Sequence, residues 1–478
     1  MFRLGPSGRT KPSIHFSGIG GTAMVAGARL AIEAGWEVRG SDNPLYPPTS
    51  HMVEALGVPV AVGYDAANLD WNPDCVVVGN ALSRGNPEVE AALTRKLHYL
   101  SLPEWLEDEV LRKRRSVVIA GTHGKTTTTA LAAYLLDVSG MEPGFLIGGQ
   151  PLDFPHSARL GKEEAPFVIE GDEYDTAFFD KRAKFFHYLP EIAVVTSIEF
   201  DHADIYADLD EIIRAFGLML RQIPKEGRLI VCADDPNALA LREHAFCPVE
   251  SYGFDAAADW RGEVASFPNI PDGCVGLRVY HEGALWGDVP VPMAGLHNLR
   301  NALAAIAVAA NLGMAPEEIA RAMPGFRGVT RRMEVFLEAR GVTFIDDFAH
   351  HPTAIRETIA AARQRWPQGK LHVLFEPRSN TTVTNRFQTE MNAAFREADA
   401  VWLGPIHRAG SIPEADRLER AAIVRALEQD GITATFTDDV ADIVTGLETS
   451  LAEGDIVLIL SNGTFGGIYD MLREKFAE

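Results

Sequence analysis

Short apolar runs that end in polar or glycine-rich turns alternate along this chain with stretches of helical period. Ile14–Ser17, Cys75–Val78, Ser116–Ala120, Phe167–Glu170, Ile192–Ser197, Leu229–Val231, Val342–Ile345, Leu371–Phe375 and Ile456–Leu460 read as buried strands. Helical pattern follows several of them: after Gly21 to Ala34, with Gly35 as the stop; after Lys125; through the alanine-rich run after Asn301; and from Pro352 to about Arg365. Residues 248–293 break the pattern with many Gly and Pro and short runs such as Gly276–Tyr280, so a small antiparallel sheet is expected there. The reading is an α/β protein of three units. Residues 1–113 form a Rossmann-like domain, 114–325 a central P-loop domain carrying the small sheet, and 326–478 a second Rossmann-like domain. Arg112–Arg115 is expected as a solvated linker and Phe326–Arg332 as a basic hinge. In such sheets ligands bind at the carboxyl ends of the strands, where the polar turns fall.

Composition narrows the function. A chain of 478 residues with net charge −22 repels nucleic acid and anionic membranes, so an anionic substrate needs local cations, helix termini or metal ions. Four scattered cysteines (Cys75, Cys232, Cys247, Cys274) without C-x-x-C predict neither disulfide nor zinc. No apolar run is long enough for a membrane span, and the amino terminus has no signal-peptide core. A cytoplasmic enzyme, a monomer or weak homodimer, is the expectation.

The chemistry centres on SVVIAGTHGKTTTT, residues 116–129. A strand, a tight turn and a helix start leave backbone N–H groups that hold phosphate. Lys125 adds a point charge and the Thr126 hydroxyl suits magnesium, although the loop is shorter than the usual P-loop and Ile119 stands at its first glycine position. Two acidic clusters, Glu170-Gly171-Asp172-Glu173 and Glu199-Phe200-Asp201-His202, follow strands that should converge on this loop. Glu170 is the metal candidate; Asp172 and Asp201 also suit helix capping. His297 and Asn301 share one face of a helix start and suit a purine edge or ribose, or simple packing with Asn298 as cap. The first turn, Gly18-Ile19-Gly20-Gly21, followed by Asp42 at the next strand end, suits a dinucleotide or another diphosphate ligand, but Met24 and Val25 replace the later fingerprint positions. A nicotinamide oxidoreductase would not need GKTTTT, and an ATP-driven scaffold would not need two acidic clusters.

GTHGKTTT, the Glu-x-Asp-Glu cluster, the DHAD turn, HN-x-x-N and DD-x-x-HHP occur together in this order. In this the chain resembles the Mur ligase family over its whole length. GSDNPLYPPTS, GNALSRGNPEVEA, FFDKRAKFFHY, EPRSNT and SNGTFGGI resemble the members that attach a recycled murein tripeptide to UDP-N-acetylmuramate. The alternative is the branch that adds L-alanine to the same nucleotide sugar, and GIGGTAM lies between the two patterns. The resemblance implies ATP and Mg2+ as cofactors, UDP-N-acetylmuramate and L-alanyl-γ-D-glutamyl-meso-diaminopimelate as substrates, and an acyl phosphate intermediate. It implies ATP contacts from Gly121, Thr122, His123, Gly124, Lys125, Thr126, Thr127, His297, Asn298 and Asn301, with Arg331 and Asp346 closing over the nucleotide. Thr126, Glu170 and His202 would hold magnesium, with Glu173 in support, and His350 would sit near the reacting groups. Gly18, Gly20, Gly21, Asp42, Ser83 and Asn86 match the UDP-sugar site. Arg378, Ser379, Asn380 and Asn462 are assigned to the peptide. Ala203–Arg221 contains no lysine, so no carbamylated lysine is expected.

Overall fold

The run Ser13–Ser17 is buried along its whole length and forms the middle of a five-stranded parallel sheet. In this computed structural model, which describes residues 10–46 and 49–477, the strand order is Val60–Val62, Glu37–Asp42, Ser13–Ser17, Cys75–Val78, Tyr99–Ser101. The order reverses at Ser13–Ser17, so the loops after Ser17, Asp42 and Val78 gather at one end. The start of the chain and Pro47–Pro48, part of the GSDNPLYPPTS stretch, lie outside the described residues.

The central domain is built on one ten-stranded sheet. Arg115–Ala120 lies between Ile192–Val195 and Pro166–Gly171 with parallel register on both sides. Val117, Val118 and Ile119 are fully buried, each contributing roughly 1.5–3 kcal/mol of hydrophobic stabilisation. The strands expected as a small antiparallel sheet attached to the domain do pair antiparallel, and they do so as the edge of this sheet. Val249–Gly253 pairs in parallel with Arg228–Cys232, and Trp260–Val264, Val275–His281 and Ala284–Val291 continue the edge, the last two pairings being antiparallel. Their glycines permit the close pairing: a Cβ on Gly276 would meet the Ala265 carbonyl at 2.1 Å. The third sheet has six strands in the order Glu334–Ala339, Val342–Asp347, Ile456–Leu460, Leu371–Phe375, Ala400–Leu403, Thr433–Phe436, parallel except for the first.

The basic run Arg112–Arg115 is mostly exposed, as expected of a solvated linker, and also makes surface ion pairs. It follows the acidic helix Leu102–Glu109: Arg112 pairs with Glu107 and Asp108, and Lys113 with Glu109, while Arg115, already in the central sheet, pairs with Glu191 of the same domain. The third domain docks on the second through Thr353 Oγ1 to Glu199 (3.0 Å), Arg300 to Glu357 (2.5 Å) and Thr381 Oγ1 to Asp201 (2.5 Å). Asn80 of the first domain donates to Asp175, just beyond the acidic cluster. All four cysteines are free thiols, and among the described residues no helix is long and apolar enough to cross a membrane.

Candidate active site

Thr22–Glu33 after Gly21, Lys125–Val138 after Gly124 and Leu296–Asn311 after Gly295 are among the helices that start without a side-chain cap, and these three start at the glycine turns singled out by the sequence or at the HN-x-x-N run. Elsewhere Asn86, Ser101 and Asp208 cap Pro87–Arg95, Leu102–Glu109 and Leu209–Leu220. An uncapped first turn keeps N–H donors for an anion. At the P-loop the glycines are sterically required. Gly121 (φ +132°) and Gly124 (φ +81°) have backbone that L side chains rarely adopt, and added Cβ atoms would meet Thr196 Oγ1 at 2.1 Å and Asn301 Oδ1 at 2.3 Å. The latter contact packs the loop against the helix bearing His297, Asn298 and Asn301. Asn298 donates to the Ala294 carbonyl and Asn301 to Asn298, while His297 Nδ1 is buried without a partner.

Lys125 Nζ donates to Glu173 Oε2 and to the Gly121 carbonyl, both at 2.6 Å. Burial opposes its charge, but Glu173, Asp172 and Glu170 outweigh this and raise its pKa above the ordinary lysine value. Glu170 accepts from Thr126 Oγ1 (3.1 Å) and Gly148 N–H (2.8 Å), and burial pushes its pKa up. Asp172 accepts from Lys184 at 2.5 Å; burial would raise it, yet Lys184 and Lys125 hold it well below the carboxylate range.

Asp172, Glu173 and His202 present ligand atoms within 4.8 Å of one another. These are oxygen and imidazole donors, and with the nearby Thr126 and Glu170 they suit a hard divalent ion that retains water. His202 is thus grouped with Asp172 and Glu173 rather than with Glu170. It has positive φ (54°), which turns its ring back to Glu173 Oε1 at 3.5 Å. Burial would lower the His202 pKa, but its bond to Glu173 raises it.

Two cavities meet here. The larger, about 720 Å³, is lined by the P-loop from Thr122 to Thr127, Glu170, Asp172, His297, Asn298, Asn301 and Arg331. The second, about 450 Å³, is lined by Arg378, Ser379, Asn380, Asn462 and the loop His407–Arg408. Asp201, His202 and His350 line both. His350 Nδ1 donates to the Phe348 carbonyl at 3.0 Å, leaving Nε2 as its basic atom, and burial lowers its pKa. Arg331 binds Asp346 (3.0 Å) and the Ser461 carbonyl (2.6 Å), with Tyr469 joining both. It therefore fastens the hinge to the third sheet.

In the first domain, Asp42 accepts from Gly20 N–H (2.7 Å) and Tyr64 OH (2.9 Å), within a turn where Gly18 has φ +82°. Asn86 Oδ1 is engaged as the cap of Pro87–Arg95, and Ser83 is exposed. Gly18, Gly20, Gly21, Asp42, Ser83 and Asn86 line neither of the two cavities.

Sequence reasoning placed Glu199 in an acidic cluster and His351 in DD-x-x-HHP but gave neither a role. His123 Nε2 lies 2.9 Å and His351 Nδ1 3.2 Å from Glu199 Oε2, across the boundary between the second and third domains. Neither did it single out Tyr469, Arg408 or the role of Asp172. The repeated acids of GDEYD were a signal for Asp172; the others are assembled only by the fold.

Models of the Mur ligase family match all three parts: the catalytic domain over residues 13–114, the Mur ligase middle domain over 119–309 and the glutamate ligase domain over 331–463. The chain belongs to the Mur ligase family. The UDP-N-acetylmuramate–L-alanyl-γ-D-glutamyl-meso-2,6-diaminoheptandioate ligase of Escherichia coli (strain K12) is 40% identical over 467 residues, 97% of this chain and 98% of that one. A crystal structure of a murein peptide ligase from Psychrobacter arcticus 273-4 aligns with TM-score 0.72 and 35% identity, covering 97% and 98% of the two chains. The UDP-N-acetylmuramate–alanine ligase of Thermotoga maritima aligns with TM-score 0.78 at 25% identity, over 97% and 98%. Backbone similarity thus spans both branches, whereas sequence identity is higher with the peptide-adding relatives.

Proposed function

We propose that this Mur ligase joins L-alanyl-γ-D-glutamyl-meso-diaminopimelate to UDP-N-acetylmuramate at the expense of ATP, in the cytoplasm. The observation that carries this reading is the pair of cavities meeting at Asp201, His202 and His350: one bears a P-loop and the other bears arginines. The second cavity is far larger than L-alanine needs, which favours a peptide as the amine donor.

The lactyl carboxylate of the nucleotide sugar attacks the γ-phosphate of ATP, and the peptide amine then attacks the acyl phosphate and expels phosphate. Two anions must be brought together, so neutralisation and alignment are the main tasks. Lys125 and the uncapped first turn of its helix hold the terminal phosphates. Thr126 and Glu170 would hold one magnesium ion, and His202 with Glu173 and Asp172 a second. Magnesium bound there would supply positive charge that offsets the repulsion between the two anions. His297, Asn298 and Asn301 hold the nucleoside, and Arg331 with Asp346 closes the third domain over it. His350 Nε2 takes the proton released from the amine as the C–N bond forms and the C–O bond to phosphate breaks. Gly18, Gly20, Gly21, Asp42, Ser83 and Asn86 bind the UDP-sugar, and Arg378, Ser379, Asn380 and Asn462 bind the peptide.

Purified protein given ATP, Mg2+ and UDP-N-acetylmuramate, with tripeptide and L-alanine offered separately, tests this. Phosphate release and an amide product of the expected mass should appear with tripeptide. Product with L-alanine alone would transfer the chain to the alanine-adding branch.

A further inference from the structure

The second cavity is polar in one direction. Its inner end, shared with the nucleotide pocket, carries Asp201, His202 and His350, with Asp204 and Tyr174 beside them. Elsewhere its wall carries Arg378 and Arg408. Arg378 makes only long contacts, 3.4 Å to Glu376 and 3.4 Å to His407 Nδ1. Arg408 is exposed and, among the described residues, has no carboxylate partner. The loop that carries it is nonetheless anchored. His407 N–H donates to the Pro377 carbonyl at 2.9 Å, next to Arg378, and Ser411 N–H and Oγ both donate to the Arg408 carbonyl at 2.9 and 2.8 Å. His407, between Arg378 and Arg408 on this wall, lies 3.4 Å from Arg378 through Nδ1, and burial with the two arginine charges lowers its pKa. Asn462 Oδ1, on the same wall, is buried with no donor.

We propose that Arg408 is a second carboxylate-binding group, taking a carboxylate of the peptide's third residue while Arg378 takes one nearer the reacting end. The inference rests on the peptide-ligase reading. The tripeptide, with its reacting ammonium at one end and the carboxylates and second ammonium of its third residue at the other, enters with the alanyl amine toward Asp201 and His350. A guanidinium without a carboxylate partner among the described residues, and one held to Glu376 only at 3.4 Å, both on short anchored loops, can accept a carboxylate bidentately with little ordering cost. The orphaned Asn462 oxygen accepts an N–H from the same distal residue. The pocket therefore selects its amine substrate by the end farthest from the new bond.

The test uses the full chain with Arg408→Gln and Arg408→Lys. Two quantities are read for each: the KM of tripeptide, and the inhibition constant of L-alanyl-γ-D-glutamate against tripeptide turnover. Arg408→Gln should raise the tripeptide KM about tenfold, leaving kcat, the KM values of ATP and UDP-N-acetylmuramate, and the dipeptide constant unchanged. Arg408→Lys should recover part of the loss. An unchanged tripeptide KM, or a dipeptide constant that rises by the same factor, would overturn the assignment. Absence of tripeptide turnover by the unsubstituted protein would instead reject the peptide-ligase reading itself.

Discussion

The two cavities meet at the same histidines yet handle charge in opposite ways. In the nucleotide pocket the key groups are already neutralised by one another: Lys125 by Glu173, Asp172 by Lys184, Glu170 by Thr126 and Gly148. In the peptide cavity Arg378 is weakly held and Arg408 has no acidic partner among the described residues. The difference follows from burial. Lys125 and Glu173 side chains are 12% and 2% exposed, and an unpaired charge at that depth costs several kcal/mol, so these groups stand as a pair. The peptide cavity is open enough for water to solvate its arginines, so Arg408 stands without an acidic partner among the described residues and Arg378 with only the 3.4 Å contact to Glu376. Binding in the first pocket is an exchange of partners; in the second it is a capture.

Lys125→Ala tests the exchange and should have the largest effect. It removes the phosphate cation and leaves Glu173 buried without its partner. Acyl-phosphate formation should fall about a thousandfold or more, and stability by roughly 3–5 kcal/mol. Rapid-quench analysis and denaturant unfolding read the two losses. Titration calorimetry should still find UDP-sugar binding, because Gly20 and Asp42 lie in a separate sheet. Loss of sugar binding as well would show that the domains do not divide the work this way.

The capture side is tested by a glycine. A Cβ on Gly463 would lie 2.2 Å from Arg378 Nε, while the backbone at Gly463 is outside the left-handed region. Gly463→Ala should therefore act only by displacing the guanidinium. Arg378→Ala and Gly463→Ala should each raise the tripeptide KM about tenfold with the ATP KM unchanged. The double variant should be no worse than Arg378→Ala alone, since both remove one interaction. Additive losses would mean that Gly463 serves something other than Arg378.

These contrasts explain what the sequence could disclose. Parallel strands buried on both faces and glycine-punctuated helix starts are local patterns, so the three α/β units and the P-loop were legible. The 248–293 stretch was harder, because whether short strands form their own sheet or extend another depends on edge pairing that no local period encodes. The Glu199–His351 contact joins residues of different domains, and Arg408 matters only because its loop is pinned beside Pro377. Neither carries a spacing signal. The chosen partners of Lys125 and His202 were likewise invisible, although the acids that supply them were plain.

The effect that probes the seam between the domains is a dependence on pH. His351 is buried against Glu199, His123, Asp201 and His350, and caps the helix Pro352–Arg365 by accepting the Thr353 N–H at Nδ1. Burial and the His123 charge lower its pKa to about 4, and despite its burial Glu199 is brought down to about 2 by His123 and His351. A histidine whose pKa is depressed in the folded state binds fewer protons there than when unfolded. Its contribution is therefore full above the unfolded value of about 6.5 and is lost as pH falls toward 4, by at most about 3 kcal/mol. The Glu199 contribution has the same sign but is lost at lower pH, between about 4.5 and 2. The opposite sign comes from His202, whose raised pKa adds stability that fades as pH climbs past its folded value. His351→Asn keeps a capping side chain and removes the titrating ring. Unfolding free energies measured from pH 7 to pH 4 should fall less steeply for this variant than for the parent. Equal slopes would mean that His351 is not the group that ties the closed interface to protonation.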